Sequence, residues 1–145
     1  MRLWHTSLIS VLPRPQLVAQ WRELSSIAGA IQKNGTPNHV LVNFVLNYDY
    51  DDFINYAKYV REEMTRRGYR TMNSVWEKIV GLKPDWSEKP IEEVYKEKMN
   101  DEYLTICYWN LREKFRCGGI SSEDFMKIEE VYKKNIKWNK YIRSI

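Results

Sequence analysis

The feature that most constrains the fold of this chain is an apolar stripe within residues 14–33. Its members recur at alternating spacings of four and three, which places them on one side of an α-helix: Leu17, Trp21, Leu24, Ala28 and Ile31. Pro15 suits the first turn of that helix, and Gly35 and Pro37 are typical stop signals. A stripe of this width must be buried, so the sequence predicts a core built by packing this helix against other elements.

Further helices are predicted downstream. They run from Asp51 or Asp52 to about Arg67, from a Ser74 capping box to near Gly81, over residues 91–116 with a break near Asn100, and from Ser121 to about residue 135. Residues 40–46 have strand propensity, but no partner strand is evident, so we expect an extended connector there. These elements predict an all-α protein, a compact single-domain helical bundle with long loops over residues 1–145.

The distribution of charge narrows the class of partner. The net charge is +4, and the excess lies at the two ends of the chain. Residues 1–40 carry four basic side chains and a single acid, and no acid follows Glu130. Two basic ends around a more acidic middle would suit a polyanion if they meet in space, whereas an ordinary solvated surface is the alternative interpretation.

The residues of several common kinds of site are missing. The two cysteines, Cys107 and Cys117, do not form a disulfide framework or a Cys-x-x-Cys metal motif. No Gly-rich phosphate loop and no His-Glu-x-x-His motif is present. His5 and His39 have no neighbours that favour a catalytic triad, so we interpret them as structural. An enzyme with this sequence must use a different nucleophile.

The flank of the first helix carries a candidate acid. Glu23 lies there with Gln16, Ala19 and Ala30, beside a row formed by Arg22, Ser26 and Lys33. Small neighbours leave room for a molecule to approach the carboxylate. The alternative is a surface glutamate next to an arginine, which helices commonly contain.

The start of the chain supplies a candidate nucleophile. Leu8, Ile9 and Leu12 can bury the first residues, and the bulk of Arg2 should prevent removal of Met1. An α-amine is much less basic than a lysine side chain, so far more of it is neutral near neutral pH. A neutral amine can form a Schiff base, and an anion such as Glu23 could stabilise the resulting iminium ion.

Several motifs then match a known family. Leu8-x-Ser10-x-Leu12, followed by Leu17-x-Ala19-x-x-Arg22-Glu23-Leu24, resembles the pyrimidine-dimer DNA glycosylases. Met1-Arg2-Leu3-Trp4-His5, His39 with Val42-Asn43-Phe44-Val45, and the run from Glu62 to Tyr69 are similar to bacterial and archaeal members. The likeness thins after residue 70, where it rests on Leu111, Glu113, Lys114, Trp138, Lys140 and Tyr141.

This resemblance implies a helical enzyme that recognises cyclobutane pyrimidine dimers in duplex DNA. Members of the family are DNA N-glycosylases and AP lyases of base excision repair. Their N-terminal amine attacks C1′ of the damaged nucleotide, releases the base and cuts the strand by β-elimination. Carried to this chain, Met1 supplies the amine, Glu23 is the essential glutamate, Arg22 helps place the lesion, and Arg2 lies beside the amine.

The resemblance and the charge pattern together predict the DNA contacts. The predicted DNA-binding residues are Arg2, Arg14, Gln16, Arg22, Lys33, Lys114, Trp138, Lys140 and Tyr141. The phage member of the family has arginines where this chain has Ser26 and Asn110, so two contacts are missing or moved. We expect no metal and no cofactor, because the imine is its own electron sink.

The expected partner is double-stranded DNA containing pyrimidine dimers or abasic sites. We expect a monomer in the cytoplasm, associated with the nucleoid when bound to DNA and without membrane contact. Three alternatives stay open on the sequence. They are a DNA-binding module without catalysis, a glycosylase or lyase for other lesions or abasic sites, and a helical protein-interaction domain.

Overall fold

The computed structural model describes residues 1–136, and these residues form helices without any strand. The α-helices are α1 (Arg14–Asn34), α2 (Tyr50–Arg66), α3 (Asn73–Val80), α4 (Asp101–Arg116) and α5 (Ser122–Asn135). Short 3-10 helices cover Thr6–Val11, Asn43–Asn47 and Ile91–Glu93. The all-α prediction is therefore confirmed. No helix in this part of the chain is long and apolar enough to cross a membrane.

The chain forms two compact units. The first combines Met1–Leu3 with Arg14–Lys96, and the second combines Trp4–Pro13 with the described residues from Glu97 to Ile136. In the first unit α1 packs against α2 and α3. In the second unit α5 packs against α4 and against the 3-10 helix Thr6–Val11.

The core of the first unit follows the predicted apolar stripe. Helix α1 buries Leu17, Trp21, Leu24, Ile27 and Ala28, and α2 buries Phe53, Ile54, Ala57, Val60 and Met64. Full burial of one such aliphatic side chain contributes about 1.5–3 kcal/mol relative to exposure. Ile31, at the end of the stripe, is only half-buried. The packing of α1 on α2 and α3 therefore buries most of the predicted stripe.

The first turn of α2 holds the loop that follows α3. The buried carboxylate of Asp52 accepts a hydrogen bond from the Tyr95 N–H at 2.9 Å and forms an ion pair with Lys89. The buried Asn55 amide donates to the Ser87 carbonyl at 2.9 Å, and its oxygen accepts from the Lys89 N–H at 2.8 Å. These bonds satisfy backbone groups of a loop that has little regular structure of its own.

The predicted cap of α2 was wrong because the Asp51 and Asp52 carboxylates bind groups of a distant loop. Asp49 is the N-cap and accepts from the Asp51 N–H at 3.3 Å. Asp51 instead accepts from the Ser87 N–H at 3.2 Å and pairs with Lys83 at 2.9 Å. Long-range partners of Asp51 and Asp52 therefore move the start of the helix to Tyr50.

Two further local predictions were wrong. Residues 40–46 are not an extended connector, because a turn leads into the 3-10 helix Asn43–Asn47, which buries Val45. The Asn43 side-chain oxygen accepts from the His39 N–H at 2.9 Å and closes that turn. The predicted Ser74 capping box is absent, since α3 begins at Asn73 and its N-cap, Met72, makes no side-chain hydrogen bond.

The second unit begins with the segment Trp4–Pro13, most of which is buried. Leu8, Ile9 and Leu12 are buried, as predicted. The predicted helix 91–116 is broken near Asn100, as expected, and only its second half is α-helical. Asn100 caps α4 by accepting from the Tyr103 N–H at 2.8 Å. Ser121 caps α5 and accepts from the Asp124 N–H at 3.1 Å, which confirms the predicted start of that helix.

Candidate active site

A buried glutamine of α1 ties the N-terminal segment to the candidate acid. Gln20 is 0% exposed, and its Nε2 donates to the Arg2 carbonyl at 3.0 Å and to Oε2 of Glu23 at 3.2 Å. Its Oε1 accepts from the hydroxyl of Tyr56, also fully buried, at 2.9 Å. The backbone of the second residue and the Glu23 carboxylate are therefore held at one nitrogen, although they are far apart in sequence.

The groups around this amide differ in their access to solvent. Glu23 and Arg2 are half-buried, and Arg22 is exposed on the neighbouring position of α1. The Met1 residue is 47% exposed. A carboxylate fixed on its buried side and open on the other can face an approaching molecule. The chemistry available here is that of an anion close to the start of the chain.

The row beside Glu23 combines small residues with cations. The Ser26 hydroxyl donates to the Arg22 carbonyl of its own helix at 3.3 Å. Lys33 is exposed in the last turn of α1. Lys78 of α3, which the sequence did not single out, reaches Oγ of Ser25 at 3.4 Å. An added Cβ at Gly29 would lie 2.9 Å from its Nζ, so the glycine provides the space for this lysine.

Two other predicted DNA-binding residues lie near the start of α1. The guanidinium of Arg14 stacks over the Tyr69 ring at 4.9 Å from its centroid, and Arg14 is otherwise exposed. Gln16 is half-buried, and its Oε1 is buried without a hydrogen-bond partner among residues 1–136. Arg14 thus presents a charge to solvent, whereas Gln16 is partly enclosed by the protein.

The remaining predicted contacts belong to the second unit or lie outside the described residues. Lys114 is exposed in the last turn of α4. Asn110, which stands where the phage member has an arginine, donates to the Ile106 carbonyl of its own helix at 2.8 Å. Trp138, Lys140 and Tyr141 lie outside the described residues.

The histidines have structural roles. His5 is buried, and its Nδ1 accepts from the Ser7 N–H at 3.1 Å, which caps the 3-10 helix Thr6–Val11. Burial lowers the pKa of His5, against weaker opposing effects of nearby backbone carbonyls and of Asp101. Nδ1 of His39 accepts from the Leu41 N–H at 3.3 Å. Within residues 1–136, no cluster of three or more His, Cys, Asp or Glu side chains could hold a metal ion.

A family model assigns the chain to a class of repair enzyme. The model of the pyrimidine dimer DNA glycosylases matches residues 1–78. The chain belongs to this family. The matched part of the glycosylase includes α1 and α2, and therefore contains Gln20, Glu23 and Tyr56. No curated protein and no solved structure matched it.

Membership of the family confirms part of the sequence-based prediction. The protein is a DNA glycosylase of DNA repair, and its substrate is DNA with pyrimidine dimers. This outcome favours an enzyme over a DNA-binding module without catalysis and over a protein-interaction domain. The roles of Met1, Arg22 and Glu23 stay predictions.

Sequence reasoning gave no role to Gln20 or Tyr56. Gln20 is part of a segment that resembles the family, Gln20-x-Arg22-Glu23, but it was not predicted to be a site residue. A glutamine that is completely buried inside an apolar helix face signals a polar network, because a buried amide needs partners. That signal becomes visible only when the burial of residue 20 is known.

Proposed function

We propose that this glycosylase cleaves the glycosidic bond of the damaged pyrimidine with the α-amine of Met1 and then cuts the strand as an AP lyase. The observation that supports this mechanism most is the shared bond of Gln20 to the Arg2 carbonyl and to Glu23. It keeps the first residues of the chain close to a carboxylate. An amine and an anion in one place are what a Schiff-base mechanism requires.

The first step replaces one bond at C1′ with another. The neutral Met1 amine donates its lone pair to C1′ of the damaged nucleotide. The glycosidic C1′–N bond breaks, and the pyrimidine takes the electron pair and a proton while it stays joined to its neighbour through the cyclobutane ring. The bound amine loses a proton, the C1′–O4′ bond breaks, and O4′ takes that electron pair and a proton. A protonated imine between Met1 and C1′ remains. Glu23 stabilises this positive charge as it develops.

The second step cuts the DNA strand. Glu23 assists removal of a proton from C2′, and the C2′–H electrons form a carbon–carbon double bond toward C3′. The C3′–O bond breaks, and the phosphate of the downstream strand leaves with the electron pair. The iminium group is the electron sink for this elimination. Hydrolysis of the imine by water then restores the Met1 amine.

Phosphate contacts would hold the lesion at this site. We propose that Arg2, Arg22 and Lys33 contact the DNA backbone, with Arg14 and Gln16 nearby on α1. We further propose contacts by Lys114, Trp138, Lys140 and Tyr141. Extrusion of a nucleotide from a duplex costs a few kcal/mol, and a badly stacked dimer lowers that cost. Cationic contacts would offset the remainder.

The test is the substitution Glu23→Gln, which keeps the shape of the side chain and removes its charge. We expect the rates of glycosidic-bond cleavage and strand cleavage on a dimer-containing duplex to fall about 100- to 1,000-fold, a loss typical for a group that stabilises transition-state charge. Affinity for the same duplex should persist. Glu130→Gln on α5, which is exposed, is the matched control and should be fully active. A wild-type rate in Glu23→Gln would refute the proposed role.

A further inference from the structure

We propose that Gln20 and Tyr56 form a buried positioning pair that orients Glu23 relative to the N-terminal segment. This inference rests on the proposed function for the role of Glu23. Neither residue needs to contact DNA, since both are 0% exposed. They act through Glu23 and through the backbone of Arg2.

The donor and acceptor inventory leaves one orientation for the Gln20 amide. The Arg2 carbonyl can only accept hydrogen bonds, and so can the ionised Glu23 carboxylate. The NH₂ group of Gln20 must therefore face both of them, and its oxygen must face Tyr56. The Tyr56 hydroxyl then donates to that oxygen at 2.9 Å. The assignment of amide oxygen and nitrogen thus follows from the partners.

Three separate segments of the chain meet at this amide. Gln20 and Glu23 are three residues apart on α1, so their side chains are neighbours on the helix surface. Tyr56 comes from α2, and Arg2 from the segment before the first helix. The hydroxyl holds the amide, and the amide holds both the carboxylate and the backbone of residue 2. A rotation of the amide would release both contacts together.

A purely structural role would not explain why the amide bonds to a half-exposed carboxylate. A glutamate at the surface gains hydration from water and needs no buried donor. The bond to Gln20 holds the Glu23 carboxylate at the same nitrogen that holds the Arg2 carbonyl. Preorganised geometry of this kind increases the rate of the chemical step, and a displacement of about 1 Å can lower it about 100-fold.

The experiment compares Gln20→Met with Tyr56→Phe in single-turnover cleavage of the glycosidic bond in a dimer-containing duplex. Methionine keeps the length of the side chain and removes both donors. We expect Gln20→Met to lower the rate constant about 10- to 100-fold without weakening DNA binding. Tyr56→Phe should have a smaller effect in the same direction. The double variant should be no slower than Gln20→Met, because both substitutions break the same chain of bonds.

Tyr59→Phe on the same helix is the matched control. It removes a hydroxyl that donates to the Lys89 carbonyl at 2.6 Å, away from the amide. Circular dichroism and thermal unfolding establish that each variant is folded at the assay temperature. The inference is overturned if folded Gln20→Met and Tyr56→Phe cleave the glycosidic bond at the wild-type rate. It is also overturned if the loss lies only in DNA affinity, or if Tyr59→Phe is as slow as Tyr56→Phe.

Borohydride reduction of the wild-type reaction separates this inference from the proposed mechanism. A covalent adduct with wild-type protein, together with unchanged rates in the variants, would refute the positioning pair and leave the amine mechanism standing. Slow variants together with no wild-type adduct would refute the amine as nucleophile and support the positioning of Glu23.

Discussion

His5 is a buried titratable residue of the second unit. The residue is 8% exposed, and burial lowers the pKa of the imidazole below its ordinary value of 6.5. The neutral ring accepts from the Ser7 N–H, which a protonated Nδ1 cannot do. The folded protein therefore binds a proton at His5 less readily than the unfolded chain.

This shift predicts a loss of stability in mild acid. The contribution of neutral His5 is fully present above about pH 6.5 and decreases as the pH falls from there through the lower folded pKa. His5→Asn keeps a cap acceptor that does not titrate, so its free energy of unfolding should fall less between pH 7.5 and 5.5. Urea unfolding at both pH values measures the difference. Equal losses in the wild type and in His5→Asn would contradict the assignment.

Sequence reasoning found Glu23 and Arg22 but not the polar network behind them. The helix pattern shows a single acid beside an arginine, and the resemblance to the family supplied the roles predicted for both residues. The role of Gln20 was not predictable in this way, because its partner Tyr56 lies 36 residues away and its partner Arg2 lies 18 residues before it. Such partners depend on how α2 and the N-terminal segment pack on α1, which helix periodicity alone does not determine.

At the scale of the elements, the start of α5 allows a quantitative test of a helix cap. Ser121 accepts from the Asp124 N–H, one of the backbone donors that a helix leaves unpaired at its start. Ser121→Ala should lower the free energy of unfolding by about 1 kcal/mol. Ser122→Ala, inside the first turn of the same helix, is the control and should change it little. Denaturant titration of both variants makes the comparison, and equal effects would argue against the cap.

Element positions were predictable where a local signal acts without competition. The predicted Ser121 cap is present because its donor, the Asp124 N–H, lies three residues later in the first turn of α5. Asp51 and Asp52 also have cap chemistry, but Lys83, Lys89 and loop backbone groups engage their carboxylates. Residues 40–46 have strand propensity, but no strand among residues 1–136 pairs with them, and a local turn forms instead. Tertiary partners and missing partners therefore explain the wrong predictions.

The charge of the whole molecule predicts how DNA affinity depends on salt. Each phosphate neutralised by a cation adds a slope of about −0.9 to the plot of log affinity against log salt concentration. We expect a steep fall in affinity between about 50 and 200 mM salt, as for other proteins with several phosphate contacts. A flat profile would argue against a DNA-backbone face.

Lys33→Ala tests one part of this surface. It should weaken binding to damaged and undamaged duplexes alike and reduce the magnitude of the salt slope by about 1. Lys127→Ala, an exposed lysine of α5, is the control and should leave the slope unchanged. Fluorescence anisotropy over a salt series measures both slopes. An unchanged slope in Lys33→Ala would remove this lysine from the interface.

At the scale of the whole molecule, the helical class followed from periodicity, and the family followed from motifs concentrated before residue 70. The family model covers the same part of the chain, residues 1–78. Two compact units were not foreseen, because the first unit contains Met1–Leu3 together with Arg14–Lys96, and no composition change marks such an interleaved boundary. Chain topology of this kind is determined by packing rather than by linker composition.

The central claim is that the Met1 amine is the nucleophile, and borohydride trapping tests it most directly. Protein whose N-terminus is verified by mass spectrometry is incubated with a duplex that carries one thymine dimer and is then reduced. The control is the same protein with a few extra residues before Met1. The mechanism predicts a covalent complex with the first protein and none with the second. An adduct of equal yield with the extended protein, or no adduct with either on a dimer or an abasic site, would contradict it.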